Sequence, residues 1–303
     1  MPIESSSPLP SSPSPLSGGG VLRLAGRDTI TFAQAQFAND VALLADGQWQ
    51  WSLWLSPKGR VIALFALLRT GPEELIAWLP DFPAKELAER LQRFRFRSKV
   101  VIEAIENLHT AGAFATPADL APGATGRHAA IQRDEDGHIT HIALDMSGHT
   151  PRTLLLESGN SVRDACPAAD ARWRLEDIAH GLPRLAGAQV EAFTPQMLGL
   201  ERLSAFSVKK GCYPGQEIVA RTHFLGQTKR TAIRLALTTD AEPGTRLTSA
   251  NGTQAELICT ARDGARIEAL AVAPVDAGED TFRSEDGSIA ATPLPLLDGL
   301  GRT

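Results

Sequence analysis

Apolar positions in the N-terminal third of the chain alternate between two spacings. VLRLAG (Val21–Gly26) and ELIAWL (Glu74–Leu79) are apolar runs of strand length. Between them, RDTITFAQAQFANDVALL carries Phe32, Ala35, Phe37, Ala38, Val41 and Leu44 at roughly helical spacing, which predicts one helix over 27–44. WQWSLWL and RVIALFALLR flank Ser56-Pro57-Lys58-Gly59, the chemistry of a hairpin turn. DFPAKELAERLQRFRF reads as an amphipathic helix with Asp81 as N-cap and Leu87, Leu91 and Phe94 on one stripe. SKVVIEAIE then returns as a strand.

After a Pro/Gly-punctuated bridge (Thr116–Gly126), strands are predicted at Arg127–Arg133, His138–Leu144 and Arg152–Glu157. PAADARWRLEDIAHGLP reads as a helix broken at Gly181 and Pro183. From Thr231 onward, short apolar segments separated by Gly, Asp and Pro predict a small C-terminal β-barrel. Strands mixed with a few helices indicate an α+β fold. The organisation expected is a disordered tail over 1–20, α+β regions over 21–115 and 116–226, and the barrel over 227–303.

Composition narrows the function class. The chain has 303 residues, 43% hydrophobic and 21% charged, so a substantial core spread over two or three domains is expected. A net charge of −5 argues against wholesale nucleic-acid binding. Cys166, Cys212 and Cys259 form no CxxC and no Cys/His pair at zinc spacing, so neither a disulfide framework nor a metal site is predicted. The Ser/Pro/Gly-rich start has no apolar h-region, and no apolar run reaches the length of a membrane span. A cytoplasmic protein with no membrane association is expected.

One stretch stands apart. KKGCYPGQEIVAR (Lys209–Arg221) lies at the seam between the α+β body and the barrel, and holds the only tyrosine of the chain. Tyr213-Pro214-Gly215 calls for a tight turn, and Gly211 would let the backbone approach a neighbour closely. The turn would present Cys212 rather than bury it, beside Lys209 and Lys210, surroundings that favour a thiolate. Lys209–Arg230 holds five Lys or Arg and one Glu, a local charge of +4, with Arg221, Lys229 and Arg230 at its far end. That cluster is read as an anion site or as a solvated face.

KGCYPGQEIVARTHFLGQTKR resembles the K-G-C-[FY]-x-G-Q-E signature of the YgfZ family of folate-binding proteins, including the trailing A-R-x-H and G-x-x-K-R. QAQFANDV, SPKGRV, RFRFRSKV, GLP (Gly181–Pro183) and FTPQMLGL are similar to further segments of that family. The resemblance implies a three-domain ring like the aminomethyltransferase fold, with a ferredoxin-like portion and the barrel as third domain. It further implies tetrahydrofolate or a derivative as cofactor, and iron–sulfur assembly machinery or client iron–sulfur enzymes as partners. Transferred to this chain, Cys212 would be the functional thiol in the catalytic position. Gln36 and Asp40 would serve the pterin, Lys210, Tyr213, Gln216 and Glu217 would line the ligand, and Arg221, Lys229 or Arg230 would meet its carboxylates.

The related aminomethyltransferases carry G-V-I-D-D-L after the hairpin. Here the run is Gly59-Arg60-Val61-Ile62-Ala63-Leu64, with Leu64 at the family's catalytic aspartate position. The glutamate of the transferases' R-L-E-A-G falls on Ala179, with Glu176 or Asp177 as substitutes only through a shift. Without a carboxylate to move protons, aminomethyl transfer is disfavoured and enzymatic status stays open. The first reading is therefore a folate-dependent accessory factor for iron–sulfur assembly or repair that supports tRNA modification indirectly. A glycine-cleavage type aminomethyltransferase is the alternative, and direct RNA binding through Lys209–Arg230 is the weakest reading.

Overall fold

The computed structural model describes residues 12–159, 166–224, 226, 228–277 and 280–302. In chain order the elements begin with β1 (Ser14–Pro15), β2 (Gly20–Ala25), α1 (Thr29–Gln36), β3 (Trp49–Leu55), β4 (Val61–Gly71), β5 (Glu74–Leu79), α2 (Ala84–Gln92) and β6 (Val101–Ile105). There follow β7 (Leu108–Ala113), α3 (Pro117–Leu120), β8 (Ala130–Arg133), β9 (Ile139–Asp145), β10 (Thr153–Ser158), α4 (Pro167–Ala179) and α5 (Gln216–Phe224). The chain ends in β11 (Arg230–Leu237), β12 (Arg246–Ser249), β13 (Gln254–Asp263), β14 (Arg266–Pro274), β15 (Phe282–Arg283) and β16 (Ala290–Leu294).

These form three sheets. The first is β3-β4-β5-β2-β6, the second β1-β7-β10-β9-β8, and the third a closed barrel β11-β14-β13-β12-β15-β16. The first sheet is buried on both faces, which is why Val61–Leu68 reads as a continuous apolar run rather than an alternation. One face packs under α1 and α2. The other shares a core with the second sheet, α4 and part of the barrel, including Trp49, Trp51, Trp78 and Trp173. The last residues return across this core: Trp51 Nε1 donates to Leu300 O at 2.9 Å, and Arg302 lies over the Trp49 ring.

Four expectations change. The helix predicted over 27–44 stops at Gln36, because polar side chains hydrogen-bond the backbone beyond it. Gln34 Oε1 accepts from Val41 N at 2.7 Å, and Asn39 Nδ2 donates to Trp51 O and Ser204 O. In α2, Pro83 occupies the N-cap, while Asp81 turns inward to accept from Leu185 N. That helix ends at Gln92, so Phe94 leaves the buried stripe and is 40% exposed.

Strand β7, LHTAGA, has too little apolar patterning to announce itself, yet it pairs with both β1 and β10. Its Gly112 is required by packing, since a Cβ there would sit 2.6 Å from Trp173 Cε3. Part of the expected tail is ordered. Ser14–Pro15 pair with Ala111–Gly112, and Leu16 is buried. Residues 1–11 of that expectation lie outside the described residues.

Candidate functional site

The Lys209–Arg221 segment is fastened to the first sheet at three points. The Lys210 ammonium donates to Gln34 O (2.6 Å), Phe37 O (2.6 Å) and Asn39 O (3.0 Å), filling the open carbonyl end of α1. Ser207 N donates to Ala38 O at 2.9 Å, and Ser207 Oγ accepts from the amides of Lys209 and Lys210. Gly215, at φ +80°, lies directly on the β3–β4 hairpin. A Cβ there would stand 2.6 Å from Ser56 O and 2.7 Å from Gly59 Cα. The expected close approach is therefore made by Gly215; Gly211 is exposed, with nothing within 4 Å of where its Cβ would be.

From that anchor the chain enters α5. Gln216 Nε2 reaches back to Lys210 O at 3.0 Å, and Gln196 Nε2 donates to Val219 O, tying the FTPQ segment to the helix. Tyr213 is buried, its hydroxyl donating to Ser207 O at 3.3 Å, and burial pushes its pKa up to about 12. Burial pulls the Lys210 ammonium down to about 8, with the Asp40 carboxylate acting against it. In the middle of this fixed frame, Cys212 is exposed.

The predicted residues divide into two groups. Lys210, Tyr213, Gln216 and Asp40 meet around the end of α1, where Asp40 accepts from Gln34 Nε2 (3.1 Å) and Ala42 N (3.2 Å). With three carbonyls on its three N–H donors, Lys210 has none left for a ligand carboxylate. Glu217 and Arg221 are exposed on α5, and Lys229 is exposed before the barrel. Arg230 opens β11 and donates to Val272 O at 3.0 Å. Gln36 ends α1 with a buried Oε1 that has no hydrogen-bond partner among the described residues; the same holds for Gln196 Oε1.

Sequence reasoning missed Gln34, Asn39, Ser207 and Gln196, which hold the segment in place. The available signal was polar residues set inside apolar-periodic stretches. It also missed a cavity of about 370 Å³ elsewhere, walled by Asp81, Asp177, Ile178, Leu182, Arg184 and Cys259, which none of the predicted site residues lines. Burial raises Asp81 to about 6 and the Cys259 thiol to about 11.

The acidic positions of the transferases hold no carboxylate here: Ala63, Leu64 and Ala179 are all buried, the first two inside the hydrophobic cores. Asp177 cannot substitute freely, because Arg152 (2.8 Å) and Arg184 (3.0 Å) hold its two oxygens. Glu176 is buried beside Arg172 at 3.4 Å.

No protein-family model matches the chain. It is 26% identical over 302 residues to the tRNA-modifying protein YgfZ of Aliivibrio fischeri, covering 95% of this chain and 93% of that protein. The protein of the same name from Klebsiella pneumoniae is 29% identical over 251 residues (79% and 76%), and that from Pectobacterium carotovorum 30% over 228 residues (70% and 66%). Among solved structures, the glycine cleavage system aminomethyltransferase T from Bartonella henselae superposes with a TM-score of 0.69 at 16% identity, covering 96% of this chain and 86% of that one. With the fold of that transferase and sequence similarity to YgfZ proteins along most of its length, the chain belongs to the YgfZ family.

Proposed function

We propose that this protein is a cytoplasmic, folate-binding accessory factor for iron–sulfur cluster assembly or repair, that it supports tRNA modification indirectly, and that Cys212 is its functional thiol. One observation carries the reading: Cys212 is exposed while its neighbours are anchored through Lys210, Tyr213, Gly215 and Gln216. A thiol needed only for packing would not require such a mount. A thiol that must meet a partner's sulfur, a cluster or a ligand does, because geometry has to be held before the encounter.

The residues present fit a folate. A reduced pterin is rich in N–H donors, and the buried, unpartnered Oε1 atoms of Gln36 and Gln196 are acceptors of the kind it needs. Arg221 and Lys229 are exposed cations available to the glutamate carboxylates. When bound, tetrahydrofolate would supply a one-carbon carrier. This chain's own part would be to bind and orient it.

The test is a tetrahydrofolate titration of wild type and Cys212→Ala, followed by rescue of an iron–sulfur enzyme defect. Both proteins should bind folate, and only wild type should rescue. Full rescue by Cys212→Ala would remove the thiol from the mechanism. The transferase fold keeps a glycine-cleavage activity as the second reading. The apolar side chains of Ala63, Leu64 and Ala179, and the capture of Asp177 by two arginines, speak against it. Aminomethyl transfer measured with glycine-cleavage partners would reverse that judgement.

A further inference from the structure

Between α2 and β6 the chain reads Arg93-Phe94-Arg95-Phe96-Arg97-Ser98-Lys99, four cations and no carboxylate in a chain of net charge −5. All but Ser98 are exposed. Several arginines elsewhere on the surface are engaged, Arg69 with Asp46, Arg90 with Glu86, Arg133 with Glu74 and Arg262 with Asp240, while Arg221, Arg246 and Arg283 are exposed singly along the chain. The cationic head groups of Arg93, Arg95, Arg97 and Lys99 have no hydrogen-bond or ion-pair partner among the described residues. A cluster of unneutralised, mutually repelling charge in an acidic protein calls for an anionic partner.

The two phenylalanines specify which anion. Phe94 stands edge-on against Trp54, ring centroids 6.0 Å apart, and Trp54 is rooted in the core of the first sheet. Phe96 is 87% exposed. Its backbone has φ +42°, a left-handed conformation that a bulky residue adopts only when the surroundings impose it. They do so here. Phe94 N, Arg95 N and Ser98 N donate to Leu91 O, Gln92 O and Arg95 O, and Lys99 N donates to the Asp28 carboxylate at 2.7 Å. The loop is thus a pinned turn that displays an exposed ring with an exposed arginine before and after it in the chain.

We infer that the Arg93–Lys99 loop is a binding surface for single-stranded RNA. A nucleotide strand alternates a flat base with a phosphate, and the loop alternates a ring with a fork of N–H donors that can grip a phosphate by two bonds. In a duplex the base faces are stacked away and Phe96 would have nothing to meet. An acidic peptide would engage the arginines and leave the exposed ring unused. A lipid surface would be met by a broad apolar helix face, whereas this is a turn with two rings.

The position adds to the case. Trp54 bridges to Phe37, whose carbonyl holds Lys210, so the loop rides on the same end of the first sheet as the Cys212 turn. Meanwhile the Lys209–Arg230 cluster, the basic segment the sequence singles out, has two cations already engaged by protein carbonyls. This inference goes beyond the folate-binding reading and does not depend on it.

The experiment uses the full chain, with fluorescence anisotropy on a labelled 12-nucleotide oligouridylate, unfractionated tRNA and a 12-base-pair RNA duplex, each across a salt series. Wild type should bind the single strand and tRNA more tightly than the duplex. The triple variant Arg93→Gln/Arg95→Gln/Arg97→Gln should lose at least tenfold in affinity and reduce the log–log salt slope by about 2. Phe96→Ala should weaken binding roughly tenfold with the slope unchanged. Arg262→Gln, which removes one exposed guanidinium outside the loop, should bind as wild type, and circular dichroism melts check that every variant folds. No binding by wild type at 50 mM salt, or an unchanged triple variant, overturns the proposal. So does loop-dependent binding of anionic phospholipid vesicles or polyglutamate that equals or exceeds binding of the RNA. Cys212→Ala should bind RNA normally and the loop variants should bind tetrahydrofolate normally, which separates failure here from failure of the folate reading.

Discussion

Two of the three cysteines occupy opposite environments. Cys212 projects from a turn whose neighbours are bolted to the first sheet, and is exposed. Cys259 sits in β13 at a register shift of the barrel wall, 8% exposed, with its pKa raised to about 11 by burial. Both border a seam between sheets, and Cys259 even lines a cavity shared with Arg184. The difference teaches that a cavity with a cysteine in its wall is not by itself a reactive site. Access and thiolate supply decide reactivity, and at Cys259 the desolvation that raises the pKa outweighs the nearby guanidinium.

The sharpest way to break this comparison is alkylation. In native protein at pH 8, a maleimide should modify Cys212 at least about a hundredfold faster than Cys259, since Cys212 is exposed while Cys259 is buried and, about three units above the pH, holds only about a thousandth of its population as thiolate. Half-buried Cys166 should fall between them. Mass spectrometry of quenched samples reads the order, and comparable labelling of Cys259 would end the distinction.

The mount itself is tested next. Lys210→Met keeps the stem and removes the ammonium, leaving three carbonyls around the end of α1 without their donor. The expected loss is about 4 kcal/mol of stability in urea unfolding. A loss below about 1 kcal/mol would mean that Lys210 is free to serve a ligand after all.

The cavity beside Cys259 carries its own pH signature. Asp81 has a folded pKa of about 6 against an ordinary value of 3.8. An acid whose pKa is raised by folding favours the folded state below the unfolded value and loses that advantage as pH rises through the folded one. Between pH 4 and pH 7 the wild type should therefore lose about 2 kcal/mol relative to Asp81→Asn, which lacks this contribution. Parallel profiles for the two proteins would place Asp81 in contact with water.

What could be read from the sequence follows from which interactions are local. The hairpin around Ser56–Gly59 and the barrel strands were legible, because turn chemistry and apolar runs lie in neighbouring residues. The signature turn was legible for the same reason: Pro214 and Gly215 state their own geometry. The end of α1 was not, because the donor that satisfies it comes from Lys210, more than 170 positions away. Strand β7 was hidden since its small residues are selected by Trp173 on α4, not by a pattern of their own. The exposure of Phe94 and Phe96 was hidden because helical periodicity runs on in the sequence past Gln92, where the helix stops.

The smallest effect compares two glycines four residues apart within the signature. Gly215→Ala must place a Cβ 2.6 to 2.8 Å from Ser56 O, Gly59 Cα and Gly59 N, all backbone atoms that cannot swing aside, and must do so at φ +80°. About 2 kcal/mol of destabilisation is expected, with faster labelling of Cys212 as the turn lifts from the hairpin. Gly211→Ala meets open space without a positive φ and should change stability by less than about 0.5 kcal/mol. If the two variants melt alike, the turn is not docked on Gly59 and the rigid presentation of Cys212 fails with it. If only Gly215→Ala is destabilised, the exposed thiol is held by the glycine that follows it and not by the one that precedes it.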